Sequence, residues 1–272
     1  MREGQIIAST DAPRTRASLA ADLLSLGLAP GDIVIAHTAL SALGWVNGGA
    51  QTAIDAMLDV IGPDGTLVMP AQSGQLTDPA QWQAPPVPAG WIEAIRNTMP
   101  VYDPRRTPTR GLGQVAELFR TWPGTVRSAH PHTSFAALGR AAASICAVHR
   151  LESPFGEDSP LARLYELDAR VLLVGVSFDA CTALHLAETR APPEMPAQRQ
   201  GARLLLDGTP RWVTYDEPPM YDEFPDFGFD RLVESGVVRS GKVGSASTFL
   251  APMRILVDTA LAAWRDARPP IG

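Results

Sequence analysis

Two short apolar runs, Ile33-Val34-Ile35-Ala36 and Thr66-Leu67-Val68-Met69, each follow a stretch of helical spacing and a glycine–proline turn. A strand without polar alternation is covered on both faces, as in the middle of a parallel sheet. The helical stretch before the first run covers 15–28, with Leu19, Leu23, Leu24 and Leu26, and ends at Gly27; the turn is Ala29-Pro30-Gly31-Asp32. The stretch before the second runs from Ala50 to Ile61 behind Gly48-Gly49, and its turn is Gly62-Pro63-Asp64-Gly65. Helix, strand, helix, strand with connections this short predicts a layered α/β domain. The alternation resumes with helix 111–121, strand 134–138, helices 139–149 and 158–168, strand 170–176 and helix 180–190. Strand-like Trp212-Val213-Thr214-Tyr215 and a final helix from about 250 to 266 complete it.

Residues 70–110 interrupt that pattern. Prolines stand at 70, 79, 85, 86, 88, 100, 104 and 108, with Trp82 and Trp91 among them. Such a stretch cannot be regular sheet, and a long excursion within a compact domain is often functional.

Composition narrows the partners. With 23 basic and 29 acidic residues the net charge is −6, and no basic stripe suits nucleic acid. The only lysine is Lys242, whose neighbours do not form a phosphate-binding glycine–lysine loop. No apolar run nears the length of a membrane span, and the amino terminus has no secretory apolar segment. Two cysteines, Cys146 and Cys181, are too few for a disulfide scaffold or a zinc cluster. Reduced thiols in a cytoplasmic protein, with no membrane partner, are the expectation.

Several residues carry possible chemistry. His37 follows a strand's carboxyl end, the edge where ligands bind in open α/β sheets. Helix-entry amides near Gly48-Gly49 would suit a phosphate, although an ordinary loop reads the same. His185 follows the strand 170–176, and Glu188 stands three residues on, on the same helix face. A histidine held by a carboxylate is a usual general base, and an incidental pair has the same spacing. His130-Pro131-His132 is read as a loop rather than a metal pair. Gly175-Val176-Ser177-Phe178-Asp179 approaches a nucleophile elbow, but Asp179 stands where that turn needs glycine. Gln198-Arg199-Gln200-Gly201-Ala202-Arg203 falls short of a pyrophosphate loop. The six acids of 216–230, with no base among them, account for the whole net charge. Their interleaved rings, Tyr215, Tyr221, Phe224, Phe227 and Phe229, suit a cationic ligand or a solvated loop.

An ordered series of motifs begins with His37-Thr38-Ala39-Leu40-Ser41-Ala42-Leu43-Gly44, Val46-Asn47-Gly48-Gly49 and Gly65-Thr66-Leu67-Val68-Met69-Pro70. It continues through Tyr102-Asp103-Pro104, Thr107-Pro108 and the segment from Arg127 to Gly139. It ends in Asp158-Ser159-Pro160-Leu161, Leu172 to Val176 and Thr182-Ala183-Leu184-His185-Leu186-Ala187-Glu188. With these motifs the sequence, over roughly 17–260, resembles the aminoglycoside 3-N-acetyltransferase family.

What this implies is acetyl-CoA-dependent acetylation of an amine, with no metal. The implied fold is an α/β layer with a second, smaller subdomain, 1–272 being one acetyltransferase domain. The segments 70–110 and 191–245 would form the acceptor side. His185 takes the place of the family's catalytic histidine, and Glu217 or Asp216 that of its partner carboxylate. Implied CoA contacts are His37, Thr38, Ala39, Leu40 and Ser41, with Thr107, Arg127, Ser134 and Phe135. Implied acceptor contacts are Asp78, Asp103, Glu188, Asp222 and Glu223. The expected acceptor is a cationic small molecule, foremost the 3-amino group of an aminoglycoside, and the expected assembly a monomer or homodimer. Two departures stand out: Cys181 replaces a frequent asparagine, and the 70–110 excursion is longer than in the shorter members. Alternatives are another amine of natural-product metabolism, or a hydrolase using Ser177 or Cys181 with His185.

Overall fold

A computed structural model describes residues 3–191, 196–220 and 226–267. Its main sheet contains β1 (Ile33–Thr38), β2 (Thr66–Pro70), β3 (Val126–Arg127), β4 (Phe135–Gly139) and β5 (Arg170–Val174). After a separate hairpin of β6 (Gln198–Leu206) and β7 (Thr209–Glu217), β8 (Arg239–Val243) and β9 (Ala246–Pro252) complete that sheet. Its order is β3-β4-β2-β1-β5-β9-β8. The centre, β2-β1-β5, is parallel, and β4 and β9 flank it antiparallel.

Strand side chains alternate between two cores, as period-two geometry requires. Val34, Ala36, Leu67, Met69, Leu172 and Val174 join one core, packed under helices Arg16–Leu26, Gly49–Ile61 and Gly113–Phe119. Ile35, Val68, Val171 and Leu173 join the other, under helices Pro160–Glu166, Leu184–Arg190 and Met253–Ala267. Burial on both faces explains why these strands are apolar throughout.

Local signals act as their chemistry dictates. Thr15 caps the first of these helices in a reciprocal capping box with Ser18, and Gly27 ends it in the left-handed conformation. Gly175, at φ +67°, lies where a Cβ would come within 2.3 Å of the Ala42 side chain. Its bareness lets the turn Leu40–Leu43 close over the end of β5.

The excursion after β2 contains short 3-10 turns and helix Ile92–Thr98. It packs on the hairpin: Arg96 binds Asp78 and stacks over Trp212, and Arg203 reaches the Asn97 carbonyl. Several elements differ from the sequence expectation. Residues 198–206 are strand, the segment 239–252 forms two strands, and the last helix begins at Met253 rather than 250. The expected helix 139–149 is shorter, at Ala142–Cys146. Among the described residues no helix is long and apolar enough to cross a membrane.

Candidate active site

His185 sits on helix Leu184–Arg190, which begins beyond the carboxyl end of β5. Its Nδ1 lies 2.6 Å from Glu188 Oε2, the i,i+3 spacing having set both on one face. The Glu188 side chain is only 3% exposed. A carboxylate so buried is costly unless paired, and the imidazole supplies a partner. Phe155 stacks beneath the His185 ring at 4.7 Å and 20°. The ring is thus fixed by a hydrogen bond at one edge and an aromatic surface on one face.

Two cavities meet at His185. One, of about 320 Å³, opens at the strand ends and is lined by His37, Thr38, Gln72, Gly111, Asp179, Thr182 and His185, among others. The second, of about 500 Å³, lies toward the excursion and hairpin. Its walls include Gln72, Thr77, Arg110, His132, Phe155, His185, Gln198, Gln200 and Glu217.

In the first cavity, His37 Nε2 accepts the backbone N–H of Thr182 at 3.2 Å and lies 3.0 Å from the Thr182 hydroxyl. That contact anchors the segment leading into the His185 helix. Burial, with the nearby charge of His185 second, pushes His37 down to about 4. Its Nδ1 and the Thr38 Oγ1 are buried without a hydrogen-bond partner among the described residues. Orphaned buried polar atoms are rare, and in a cavity wall they fit the polar groups of a ligand.

In the second cavity, Glu217 is buried and faces amide donors from Gln198 and Gln200, each at 3.4 Å. Burial pushes its carboxyl up to about 7, against the lowering effect of those two amides. Behind it the Tyr215 hydroxyl donates to His132 Nδ1 at 2.9 Å, and His132 Nε2 donates to the Leu76 carbonyl at 3.0 Å.

The three remaining histidines are framework. His130 Nδ1 accepts the amides of His132 and Thr133, while His149 spans the Ser128 hydroxyl and the Pro154 carbonyl. Burial pushes His132 and His149 down to about 4, and His130 well below its ordinary 6.5. These three and His37 stay neutral when folded, yet protonate once the chain unfolds below 6.5. Glu217 has the opposite sign, because the folded form takes up its proton first. Near pH 5.5 the unfolded state holds about three more protons, so stability falls by about 3–4 kcal/mol per pH unit on acidification. Urea midpoints should hold at about pH 7–8 and drop steeply below about 6.5; a midpoint indifferent to acid down to about pH 5 would contradict this assignment.

Several sequence expectations change. The carboxylate at His185 Nδ1 is Glu188; Asp216 points outward to Arg199 at 3.0 Å, and Glu217 lies across the cavity wall instead. Ala39, Leu40 and Ser41 do not line the first cavity, because the turn carries them past the end of β5. Arg127, Ser134 and Phe135 are buried framework: Arg127 spends its donors on Ser134 Oγ, Ser73 Oγ and the carbonyls of Ala71, Thr107 and Pro104. Thr107 is likewise buried, its hydroxyl oxygen accepting the Asp103 amide at 2.9 Å. Asp78 is paired with Arg96, and Asp103 accepts the Arg105 amide in a turn, so neither is an open receptor for a cation. Asp222 and Glu223 lie outside the described residues. Ser177 is exposed and bonds Asp179, while Cys181 is 1% exposed with its thiol pushed by burial to about 12. Neither has the setting of a hydrolase nucleophile.

Gln72, Thr182, Phe155, Gln198 and Gln200 line the cavities but were not assigned to the site from sequence. The strand-end rule applied to β2 would have found Gln72. The spacing of Gln198 and Gln200 puts both on one strand face, and Asp207-Gly208 is a hairpin turn signal that identifies that strand.

The chain matches the family model described as aminoglycoside 3-N-acetyltransferase over residues 35–264. It is 44% identical to the aminoglycoside N(3')-acetyltransferase-like protein YokD of Bacillus subtilis, over 94% of both chains. The crystal structure of YokD superposes with a TM-score of 0.92, covering 97% of this chain and 98% of that one. A structure titled AAC-IIIb binary with CoASH matches at TM-score 0.82 and 33% identity, over 96% of this chain and all of that one (100%). One titled AAC-VIa bound to Sisomicin matches at TM-score 0.82 and 31% identity, over 95% and 100%.

Proposed function

The chain belongs to the aminoglycoside 3-N-acetyltransferase family, and from that premise we propose that it moves an acetyl group from acetyl-CoA to an aminoglycoside amine, foremost the 3-amino group. The observation that carries the site assignment is His185, braced by Glu188, at the meeting of two cavities. A transferase must bring two substrates to one base, and this placement does so.

The strand-end cavity is the CoA side: a related protein is titled as a CoASH complex, and the orphaned polar atoms of His37 and Thr38 fit a polar ligand. Acetyl-CoA supplies the acyl group as an activated thioester. The hairpin cavity is the acceptor side, its wall carrying the buried Glu217, and a relative bound to sisomicin supports a polyamine of that kind as the acceptor. There Glu217 offers a buried carboxylate to an arriving ammonium. His185 removes the proton that keeps the amine from attacking, and Glu188 orients the ring and balances the imidazolium. The domain is one unit, 1–272, with the excursion and hairpin shaping the acceptor side, and it works in the cytoplasm where acetyl-CoA is made.

Incubation of the protein with acetyl-CoA and a panel of aminoglycosides and simple amines, read by mass and by the position of the acetyl group, tests this. Products one acetyl unit heavier at the 3-amino group are expected. Acetylation confined to simple amines would overturn the aminoglycoside assignment.

A further inference from the structure

Gln72 stands two residues beyond the carboxyl end of β2 and, like His185, lines both cavities. Its backbone is tied from several sides. The Ala71 amide donates to the Ser134 carbonyl at 2.7 Å, the Arg110 amide to the Gln72 carbonyl at 3.0 Å, and the Ser73 amide to the His132 carbonyl at 2.7 Å. Arg127 adds a second set, with Nη2 donating to the Ala71 carbonyl at 2.5 Å and to Ser73 Oγ at 2.8 Å. The residues on either side of Gln72 are therefore held by one buried guanidinium. Among the described residues Arg127 forms no ion pair with a carboxylate. A buried cation served by carbonyls, hydroxyls and the face of the Tyr102 ring, 5.2 Å away, but by no carboxylate, is costly. Such a cost is understandable where the segment it fixes carries a group whose placement matters.

The side-chain amide of Gln72 contrasts with its backbone, having no hydrogen-bond partner among the described residues. Resting on the acetyl-transfer reading above, we infer that Gln72 is a catalytic residue whose Nε2 donates a hydrogen bond to the acyl oxygen as negative charge gathers there. The transfer balances around it. The amine lone pair forms the N–C bond, and the C–S bond breaks with its electron pair going to sulfur. An acceptor arriving as an ammonium gives up two protons. One passes through His185 to the thiolate and the other goes to solvent. Gln72 gains and loses no atom; it meets charge with a donor already in place. One such preorganised donor contributes about 10²–10³ in kcat. Arg127 acts through the backbone of Gln72 and is a positioning residue.

Two variants separate this from the alternatives. Gln72→Met keeps the reach of the side chain without its donor, and Gln72→Glu keeps an acceptor without a donor. Both should lose about 10²–10³-fold in kcat, with KM for acetyl-CoA and for the amine within about threefold of wild type. Unchanged kcat in Gln72→Met overturns the assignment. So does a Gln72→Glu that stays active while Gln72→Met does not, because the amide would then act as an acceptor. Titration with CoA at wild-type affinity identifies a folded variant; should Gln72→Met fail it, Gln72→Glu decides by the same kcat criterion. A wild-type protein that acetylates no amine overturns the acetyl-transfer reading itself. A wild type that does so, with kcat indifferent to Gln72, overturns this inference alone.

Discussion

His185→Ala is expected to lower kcat/KM for amine acetylation by about 10²–10⁴-fold, the usual contribution of a positioned general base. The loss should fall on kcat, because the ring removes a proton during transfer and both cavities keep their other walls. CoA affinity should change little. The substitution also removes the Phe155 stacking contact, so a folded-state readout by CoA titration belongs beside the rate. Near-wild-type thiol release from acetyl-CoA in the presence of an amine would show that another group takes the proton.

Glu188→Gln is expected to be nearly as damaging, by about 10²–10⁴-fold in kcat. Glutamine preserves the volume of a side chain buried at 3% exposure, so packing survives. What is lost is the charge that balances the imidazolium. A glutamine amide can also donate toward Nδ1, which would hold the ring's proton on the wrong nitrogen. The comparison with Glu217→Gln is decisive between the two carboxylates. Glu217 reaches the acceptor cavity and not Nδ1 in this structure, so its amide should raise KM for the amine more than it lowers kcat. If Glu188→Gln kept full kcat while Glu217→Gln lost it, the orienting carboxylate would be Glu217.

The contrast between these two acids shows how far residue order carries. His185 and Glu188 were visible as an i,i+3 pair, yet spacing does not report burial, and a buried carboxylate against an imidazole is what separates a dyad from neighbours. The apolar runs 33–36 and 66–69 identified the centre of the sheet because strands covered twice leave no polar alternation. The hairpin strand 198–206 is not legible from its own residues, and only the turn signal Asp207-Gly208 marks it. Gln198, Arg199, Gln200 and Gly201 have little strand preference, and pairing with 209–217 makes them a strand. The resemblance made Arg127 a CoA contact. Only its neighbours reveal that carbonyls and hydroxyls consume its donors. Asp78 similarly looked open to a cation until Arg96, 18 residues on, occupied both its oxygens.

The acidic segment 216–230 divides in the same way. Asp216 is paired with Arg199, Asp226 accepts the Gly228 amide in a turn, and Glu217 is buried in the cavity wall. A run that reads as a single negative patch thus holds carboxylates in separate settings, and Glu217 is the one that lines a cavity together with His185.

The most direct measurement of the central claim is thiol release from acetyl-CoA by the wild-type protein, with and without an aminoglycoside. An acetyltransferase whose base serves the amine releases thiol only when the amine is present, one thiol for each acetylated product. Equal release without any amine would mean that water is the acceptor, and would contradict the two-cavity account of His185.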